Sequence, residues 1–318
     1  MNAQPRSALL VSRVGNSTVS SGLGRRVEEI AEFLIGLNFS VERVQTIRHS
    51  GLKSYDLICV CSFVNAFQLF FARGKCSFLW FDSMDSWRLT RKSLFKDKPL
   101  KECIKFVRDY LGTVFYKKAD LITYCSKRDA KIDSLKHSKV KIFTPKQIPT
   151  QKLLDFGKRY VFVGPSDYYP NRTAYQYLIS LAKQNYFKNV KLHVYGLSSM
   201  YLENHDDVVL HGVCPDGDVY GQRDTHLVPL WSGAGIKYKT LVPLSLGIRV
   251  ISTIEGANGL LTNPLLLICR THNDFQNALE KEFQELSEVY QLENILEFDQ
   301  RKEIEQIILK SVDKQTQR

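Results

Sequence analysis

Short runs of β-branched and apolar residues alternate with stretches of helical periodicity along nearly the whole chain, and the alternation breaks once and then starts again. Strand, helix, strand in repetition is the pattern of parallel sheets joined by crossover helices, so the chain reads as α/β and doubly wound. The break is Thr144-Pro145-Lys146-Gln147-Ile148-Pro149-Thr150, which has two prolines and no periodicity. It predicts two Rossmann-like domains, residues 1–146 and 147–318, and a chain of 318 residues is long enough to fill two cores.

In the first half the patterns predict strands at 8–12, 40–44, 57–64, 77–81, 121–125 and 140–143, with helices at 25–37 and 100–116. In the second half they predict strands at 160–164, 191–195, 208–210, 227–231 and 249–253, with helices at 174–184, 237–246, 273–289 and 301–310. Two such halves are expected to face each other across a cleft, with ligands at the C-terminal ends of the strands.

Composition narrows the class further. Hydrophobic residues at 44% and charged residues at 24% are globular values, which excludes a collagen-like, coiled-coil or disordered chain. No run approaches the roughly 18 apolar residues of a membrane-spanning helix, and the first residues lack the basic and apolar regions of a secretory signal. The expected location is therefore cytoplasmic. The seven cysteines, with no C-x-x-C pair, read as reduced core thiols, and Cys59 and Cys61 fall on one face of a strand.

The segment that carries the most chemistry runs from Pro229 to Lys239, as strand end, glycine-rich turn and helix start. Small residues at Ser232, Gly233 and Gly235 let backbone N–H groups approach an anion, the helix N-terminus adds partial positive charge, and Lys237 or Lys239 adds a full one. A diphosphate fits that constellation, and a plain strand-to-helix turn is the alternative. The loop lacks the spacing of a Walker A motif.

With Tyr160-Val161-Phe162-Val163-Gly164-Pro165-Ser166-Asp167-Tyr168-Tyr169-Pro170-Asn171, Gly247-Ile248-Arg249-Val250-Ile251-Ser252-Thr253 and Gly256-Ala257-Asn258-Gly259-Leu260, this segment resembles the donor-binding domain of GT-B glycosyltransferases of the family 4 type. Ser21-Gly22-Leu23-Gly24-Arg25 resembles their first glycine loop, and residues 118–126 their last N-domain strand, so the likeness extends over about four-fifths of the chain. The resemblance implies a GT-B fold in which the C-terminal domain holds a nucleoside-diphosphate sugar and the N-terminal domain an acceptor, without a metal cofactor. It implies a donor site at Gly164, Asn171 of the loop after the strand, Gly233, Gly235 and Lys239, and an acceptor-side loop at Gly22, Gly24 and Arg25. Arg172, next in the loop after Asn171, either reaches the diphosphate or is a solvated loop arginine.

The chain departs from that pattern at one place. Such enzymes carry two glutamates separated by seven residues; the matching positions are Ala234 and Val242, and no Asp or Glu occurs from residue 225 to 254. Three readings follow: a transferase with a different donor contact and an N-domain base, a catalytically inactive scaffold that binds a partner or nucleotide, or a nucleotide-sugar epimerase on the same fold.

The candidate base lies in Leu79-Trp80-Phe81-Asp82-Ser83-Met84-Asp85-Ser86-Trp87, where an apolar strand ends in two aspartates flanked by tryptophans. A carboxylate there would take the proton of an acceptor hydroxyl, Asp82 being preferred over Asp85, and Trp87 would stack on a sugar face. Helix capping is the alternative. Asp216-Gly217-Asp218 spells D-x-D but reads as a turn, and His211 and His226 are minor candidates.

The net charge of +11 is unevenly held. Residues 1–150 have 26 basic and 13 acidic side chains, residues 151–318 have 18 and 20, and the window from Arg88 to Lys146 alone has 17 and 6. Within it Leu100, Ile104, Val107, Leu111, Val114 and Phe115 fall at helical spacing among lysines. The stripe packs on the sheet with its lysines solvated, or the segment lies on an anionic membrane surface, and the two readings are compatible. Nucleic acid is disfavoured, since no recognition motif accompanies the charge. The functional expectation is a hexosyltransferase of cell-surface polysaccharide or glycolipid synthesis, peripheral on the inner membrane face, with a sugar or lipid-linked acceptor.

Overall fold

The computed structural model describes residues 5–13, 22–50, 53–133, 139–146, 153–165, 168–196, 203–213, 219–280, 295–296 and 298–316. The chain forms two compact units, Met1–Lys146 with Phe298–Arg318, and Gln147–Glu297.

The first unit is built on β1 (Arg6–Val11), α1 (Gly22–Gly36), β2 (Phe39–Val44), β3 (Tyr55–Cys61), α2 (Gln68–Ala72), β4 (Cys76–Met84), α3 (Trp87–Leu94), α4 (Pro99–Gly112), α5 (Lys127–Ile132) preceded by β5 (Leu121–Tyr124), and β6 (Val140–Ile142). Its sheet is parallel throughout, in the order β2-β1-β3-β4-β5-β6. Alternation along the strands divides the core in two. Leu9, Val11, Ile58, Val60, Leu79 and Phe81 face one cluster, whereas Ala8, Leu10, Leu57, Cys59, Phe78 and Trp80 face the other. The second cluster is covered by Val27, Ile30 and Leu34 of α1.

The second unit contains β7 (Arg159–Val163), α6 (Tyr169–Ala182), β8 (Leu192–Tyr195), β9 (Val208–Gly212), β10 (Asp224–Val228), α7 (Tyr238–Ser245), β11 (Arg249–Thr253), β12 (Leu266–Cys269) and α8 (His272–Glu280). Its sheet is also all parallel, in the order β12-β11-β10-β7-β8-β9. Each unit is therefore a doubly wound α/β domain. Residues 281–289 of the helix expected at 273–289 lie outside the described residues.

The last helix, α9 (Arg301–Thr316), is expected from the sequence in the second domain and packs in the first unit instead. Its Ile304, Ile308 and Val312 recur every four residues and are buried against the α1 side of the first sheet. Burying each contributes about 1.5–3 kcal/mol. Ile142 N–H donates to Gln300 Oε1 at 3.0 Å and Arg301 Nη2 to the Thr144 carbonyl at 2.6 Å, which pins the start of the helix beside β6.

α4 departs from the usual rule of burial. Its polar Glu102 and Asp109 are 3% exposed, while Leu100 is 78%, Ile104 67%, Val107 56% and Leu111 51% exposed. The stripe therefore does not pack on the sheet, one of the two arrangements expected of it. Arg91 of α3 decides this: its Nη1 donates to Glu102 Oε2 at 2.8 Å and its Nε to Asp109 Oδ2 at 2.7 Å, so the acidic face of α4 turns inward. The cysteines also divide: Cys59, Cys61, Cys125 and Cys269 are buried free thiols, whereas Cys103 on α4 is exposed and is no core residue.

Candidate functional site

In the second sheet the strand order reverses between β7 and β10, and the C-terminal ends of those two strands are where an open α/β sheet leaves a crevice. After β7 the chain passes Gly164 into α6; after β10 it passes the glycine loop into α7. Asn171 and Arg172, expected in a loop, form the first turn of α6, with Pro170 beside the helix start.

The glycine loop requires its glycines. Gly233 has φ 145° and Gly235 φ 76°, both in the region that disfavours a side chain. Lys237 is the N-cap of α7 and offers no side-chain acceptor to the first turn. Its Nζ turns back to donate to the carbonyls of Ala234 and Gly235, the latter at 3.0 Å, so it holds the loop closed. Ser232 is half-buried at the loop's start. Just before it, Trp231 stacks on His272 with ring centroids 4.2 Å apart.

A second segment clamps the loop from behind. Thr253 Oγ1 donates to the Leu230 carbonyl, Gly256 N–H donates to Thr253 Oγ1 at 3.2 Å, and Thr240 Oγ1 donates to the Gly256 carbonyl at 2.8 Å. Asn258 Nδ2 reaches the Gly235 carbonyl at 3.2 Å. Sequence reasoning does not single out Thr240, Thr253 or Asn258. Their only signal is that they lie within segments of recognisable pattern.

Lys239, two residues into α7, points at α6. Its Nζ donates to Asn171 Oδ1 at 2.7 Å and lies 5.0 Å from the centre of the Phe162 ring. Asn171 is itself fixed, since its Nδ2 donates to the Pro165 carbonyl at 2.9 Å. Gly164 makes room for both: a Cβ there would lie 2.7 Å from Lys239 Nζ and 2.8 Å from Asn171 Cγ. Burial, and then the charge of Lys237, push the Lys239 ammonium down to about 7. Among the described residues no carboxylate pairs with either lysine. Two cations, a helix N-terminus and left-handed glycines converge where an anion would relieve the unbalanced charge. Arg172 is half-buried, its guanidinium over the Tyr169 ring at 5.6 Å.

The two positions where the resemblance would place glutamates are apolar and enclosed. Ala234 is 7% and Val242 2% exposed, and Val242 packs with Val161, Tyr195, Val219, Leu246 and Ile248.

In the first unit, Asp82 at the end of β4 is fully buried. Arg26 of α1 grips it from Nε at 3.0 Å and Nη2 at 2.7 Å, and Thr123 Oγ1 donates to its Oδ1 at 2.6 Å. Burial alone would depress the Arg26 guanidinium, but the charge of Asp82 and their hydrogen bonds outweigh it and raise its pKa. A carboxylate held this way, with no exposed edge, is ill suited to meet an acceptor hydroxyl, which corrects the preference for Asp82 as base. Asp85, three residues on, is half-buried at the strand's exit and accepts from Cys125 Sγ at 3.3 Å.

Trp87 does not present a face to a sugar either. It is 1% exposed beneath α4, its ring 5.0 Å from Phe106 and 6.4 Å from Tyr110. The residue that caps α3 is Ser86, whose side chain accepts from Leu89 N–H. Gly22, Gly24 and Arg25, expected in a loop, are the first turn of α1; Ser21 before them lies outside the described residues. Asp216-Gly217-Asp218 likewise lies outside them. His226 is buried in β10 against Tyr220 at 5.3 Å, and burial pushes it down to about 3, which suits a neutral core ring. His211 stacks on Tyr195 at 4.3 Å. Among the described residues no three His, Cys, Asp or Glu side chains gather as a metal site would need.

Two parallel six-stranded sheets with flanking helices match the GT-B fold of solved glycosyltransferases. A solved E. coli trehalose-6-phosphate structure bound with UDP-2-fluoro glucose is similar over 97% of this chain and 95% of its own, at 12% identity and a TM-score of 0.56. A UDP-glucosyltransferase from Polygonum tinctorium capable of glucosylating indoxyl is similar over 98% of this chain and 94% of its own, at 10% identity and a TM-score of 0.50. The pneumococcal O-GlcNAc transferase GtfA aligns over 85% of this chain at 14% identity and a TM-score of 0.45, and this chain spans 57% of that protein. No family model and no curated protein matches the sequence. At these identities the likeness is one of fold.

Proposed function

We propose that this chain is a glycosyltransferase of the family 4 type, moving a sugar from a nucleoside-diphosphate sugar to an acceptor hydroxyl. The observation that carries the reading is the pairing of Lys239 with Asn171 beside the loop of Gly233 and Gly235, an uncompensated cationic cradle at the switch point of the second sheet. In the reaction the bond from the anomeric carbon to the diphosphate oxygen breaks, the diphosphate leaves with the electron pair, and the acceptor oxygen bonds to that carbon. Lys239 and the loop N–H groups stabilise the departing charge, with Lys237 keeping the loop in shape, so the counter-charge comes from lysines rather than a metal. On the first unit Asp85 is the carboxylate whose exposure suits it to take the hydroxyl proton. The acceptor is a sugar or lipid-linked sugar of cell-surface polysaccharide or glycolipid synthesis, met at the inner membrane face.

The burial of Ala234 and Val242 favours one second reading, a GT-B scaffold that binds nucleotide without transfer. A thermal-shift panel of UDP, GDP, dTDP and ADP, followed by release of free nucleoside diphosphate from the matching sugar nucleotide, tests both. Stabilisation with turnover supports the transferase, stabilisation without turnover on any acceptor supports the scaffold, and no shift with any nucleotide at millimolar concentration overturns the donor site.

A further inference from the structure

We infer that the outer face of α4, with the 3-10 turn that continues it over Thr113–Lys118, is a docking surface for an anionic lipid bilayer. This names the surface by which the proposed membrane location is achieved, and it stands or falls apart from the donor site.

The apolar side of α4 is its outer side. Leu100, Ile104, Val107, Leu111 and Val114 form one stripe, and each is more than half exposed. A half-turn of the helix about its axis would bury that stripe and solvate Glu102 and Asp109. The fold instead keeps both carboxylates inside on Arg91, accepting the desolvation of three charges while leaving five large apolar side chains in water. Such an arrangement disfavours a helix that faces only solvent, and a contiguous apolar patch of this kind marks an interaction site.

The patch continues beyond the helix. Gly112 permits close packing on the preceding segment, where a Cβ would lie 3.2 Å from Ala66 Cβ, and this brings Phe67 to 5.3 Å and Phe70 to 5.9 Å from the Phe115 ring. Phe67, Phe70 and Phe71 are themselves 37%, 55% and 43% exposed.

Charge selects the partner. From Lys98 to Ala119 the cations are Lys98, Lys101, Lys105, Arg108, Lys117 and Lys118, while the only acids, Glu102 and Asp109, are the two buried ones. Lys105 pairs with Glu102 and Arg108 with Asp109, which leaves Lys98, Lys101, Lys117 and Lys118 as the cations beside the apolar stripe, with Asp97 and Asp120 just beyond its two ends. Lys118 Nζ lies 5.2 Å over the Phe70 ring, so cation and aromatic share the same rim. Apolar side chains that enter the acyl boundary beside lysines that meet phosphate headgroups are the requirements of an in-plane membrane helix. A helix of 14 residues is about 21 Å long, short of the roughly 30 Å hydrocarbon core, so it lies on the bilayer rather than crossing it.

Flotation of the full chain, without nucleotide, tests the inference on vesicles of phosphatidylcholine alone and of phosphatidylcholine with phosphatidylglycerol at two to one. The protein is expected to float with the anionic vesicles at least tenfold more than with the neutral ones, and raised salt is expected to weaken that binding. Ile104→Asp with Leu111→Asp is expected to abolish flotation with an unchanged thermal melt, because both side chains are exposed. Lys101→Glu with Lys117→Glu is expected to remove the preference for anionic lipid. Failure of the wild type to float on anionic vesicles overturns the inference, as does flotation that survives the double aspartate change. A concentration-dependent dimer that the same aspartates dissociate would also overturn it, assigning the face to a second copy of the chain.

Discussion

Lys239 Nζ donates to Asn171 Oδ1 at 2.7 Å, tying the first turn of α7 to the first turn of α6 across the switch point of the second sheet. The acceptor is a neutral amide, so the bond orients the ammonium without cancelling its charge. Gly164 lies under both groups, and Lys237, whose charge also bears on Lys239, is occupied with loop carbonyls. The result is an ammonium oriented by a neutral partner.

Lys239→Met is expected to weaken binding of the nucleotide found in the thermal-shift panel. Loss of one charge-assisted bond of about 1.5–3 kcal/mol raises Kd about ten- to a hundredfold, read by calorimetry. Its effect on the free protein depends on pH. The folded pKa of about 7 lies below the unfolded 10.5, so the stability linked to this group is present above the unfolded value and lost as pH falls through the folded one. The Tm difference between variant and wild type should therefore move in the variant's favour from pH 9 to pH 6. An unaltered Kd would remove Lys239 from the donor site.

Gly164→Ala places a methyl 2.7 Å from Lys239 Nζ and 2.8 Å from Asn171 Cγ. The lysine end can swing aside, but Asn171 is 2% exposed and bonded to Pro165. The expected cost in stability is about 1–3 kcal/mol, with nucleotide affinity reduced because the Lys239–Asn171 pair is broken. Wild-type affinity in this variant would show that the pair does not orient the cation for a ligand.

Asp82→Asn and Asp85→Asn should separate support from chemistry. The first leaves Arg26 charged and buried with half its partner, and denaturant unfolding should show a loss of about 3–5 kcal/mol. The second should change stability by about 1 kcal/mol and lower transfer about a hundredfold or more. Full turnover by Asp85→Asn would exclude it as the base.

Asp133 carries a pH signature. It is 4% exposed and accepts from Ser86 Oγ at 2.5 Å and Tyr124 OH at 3.1 Å; burial pushes it up to about 6, against the lowering effect of those bonds. Because the folded pKa is raised above the ordinary 3.8, its contribution is complete below that value and lost as pH rises through 6. The change is about 3 kcal/mol. Urea midpoints from pH 4 to pH 7 should fall more steeply for the wild type than for Asp133→Asn, and parallel profiles would contradict the assignment.

Much of the fold is legible in local pattern. The strand and helix periods along 8–143 and again along 160–253 correspond to most of the observed elements, because fully buried parallel strands must be continuously apolar and their crossover helices striped. β12 (Leu266–Cys269), α2, α3 and α5 are elements that the sequence patterns do not predict. The glycine loop is legible since glycine at Gly233 and Gly235 answers a backbone demand that is local.

By itself the sequence determined the alternation of elements, the break at 144–150, the glycine loop with its two lysines and the absence of acids from 225 to 254. Tertiary structure alone decided which side of each patterned element faces inward. Asp82 is available in the sequence and enclosed in the fold by Arg26, 56 residues away; α4 has a stripe fit for a core, yet Arg91 claims the opposite face; α9 follows the second domain in sequence and joins the first in space. Periodicity sets the spacing of side chains along an element, whereas burial depends on partners brought from far along the chain, and a charged partner can reverse the face that hydrophobicity alone would bury.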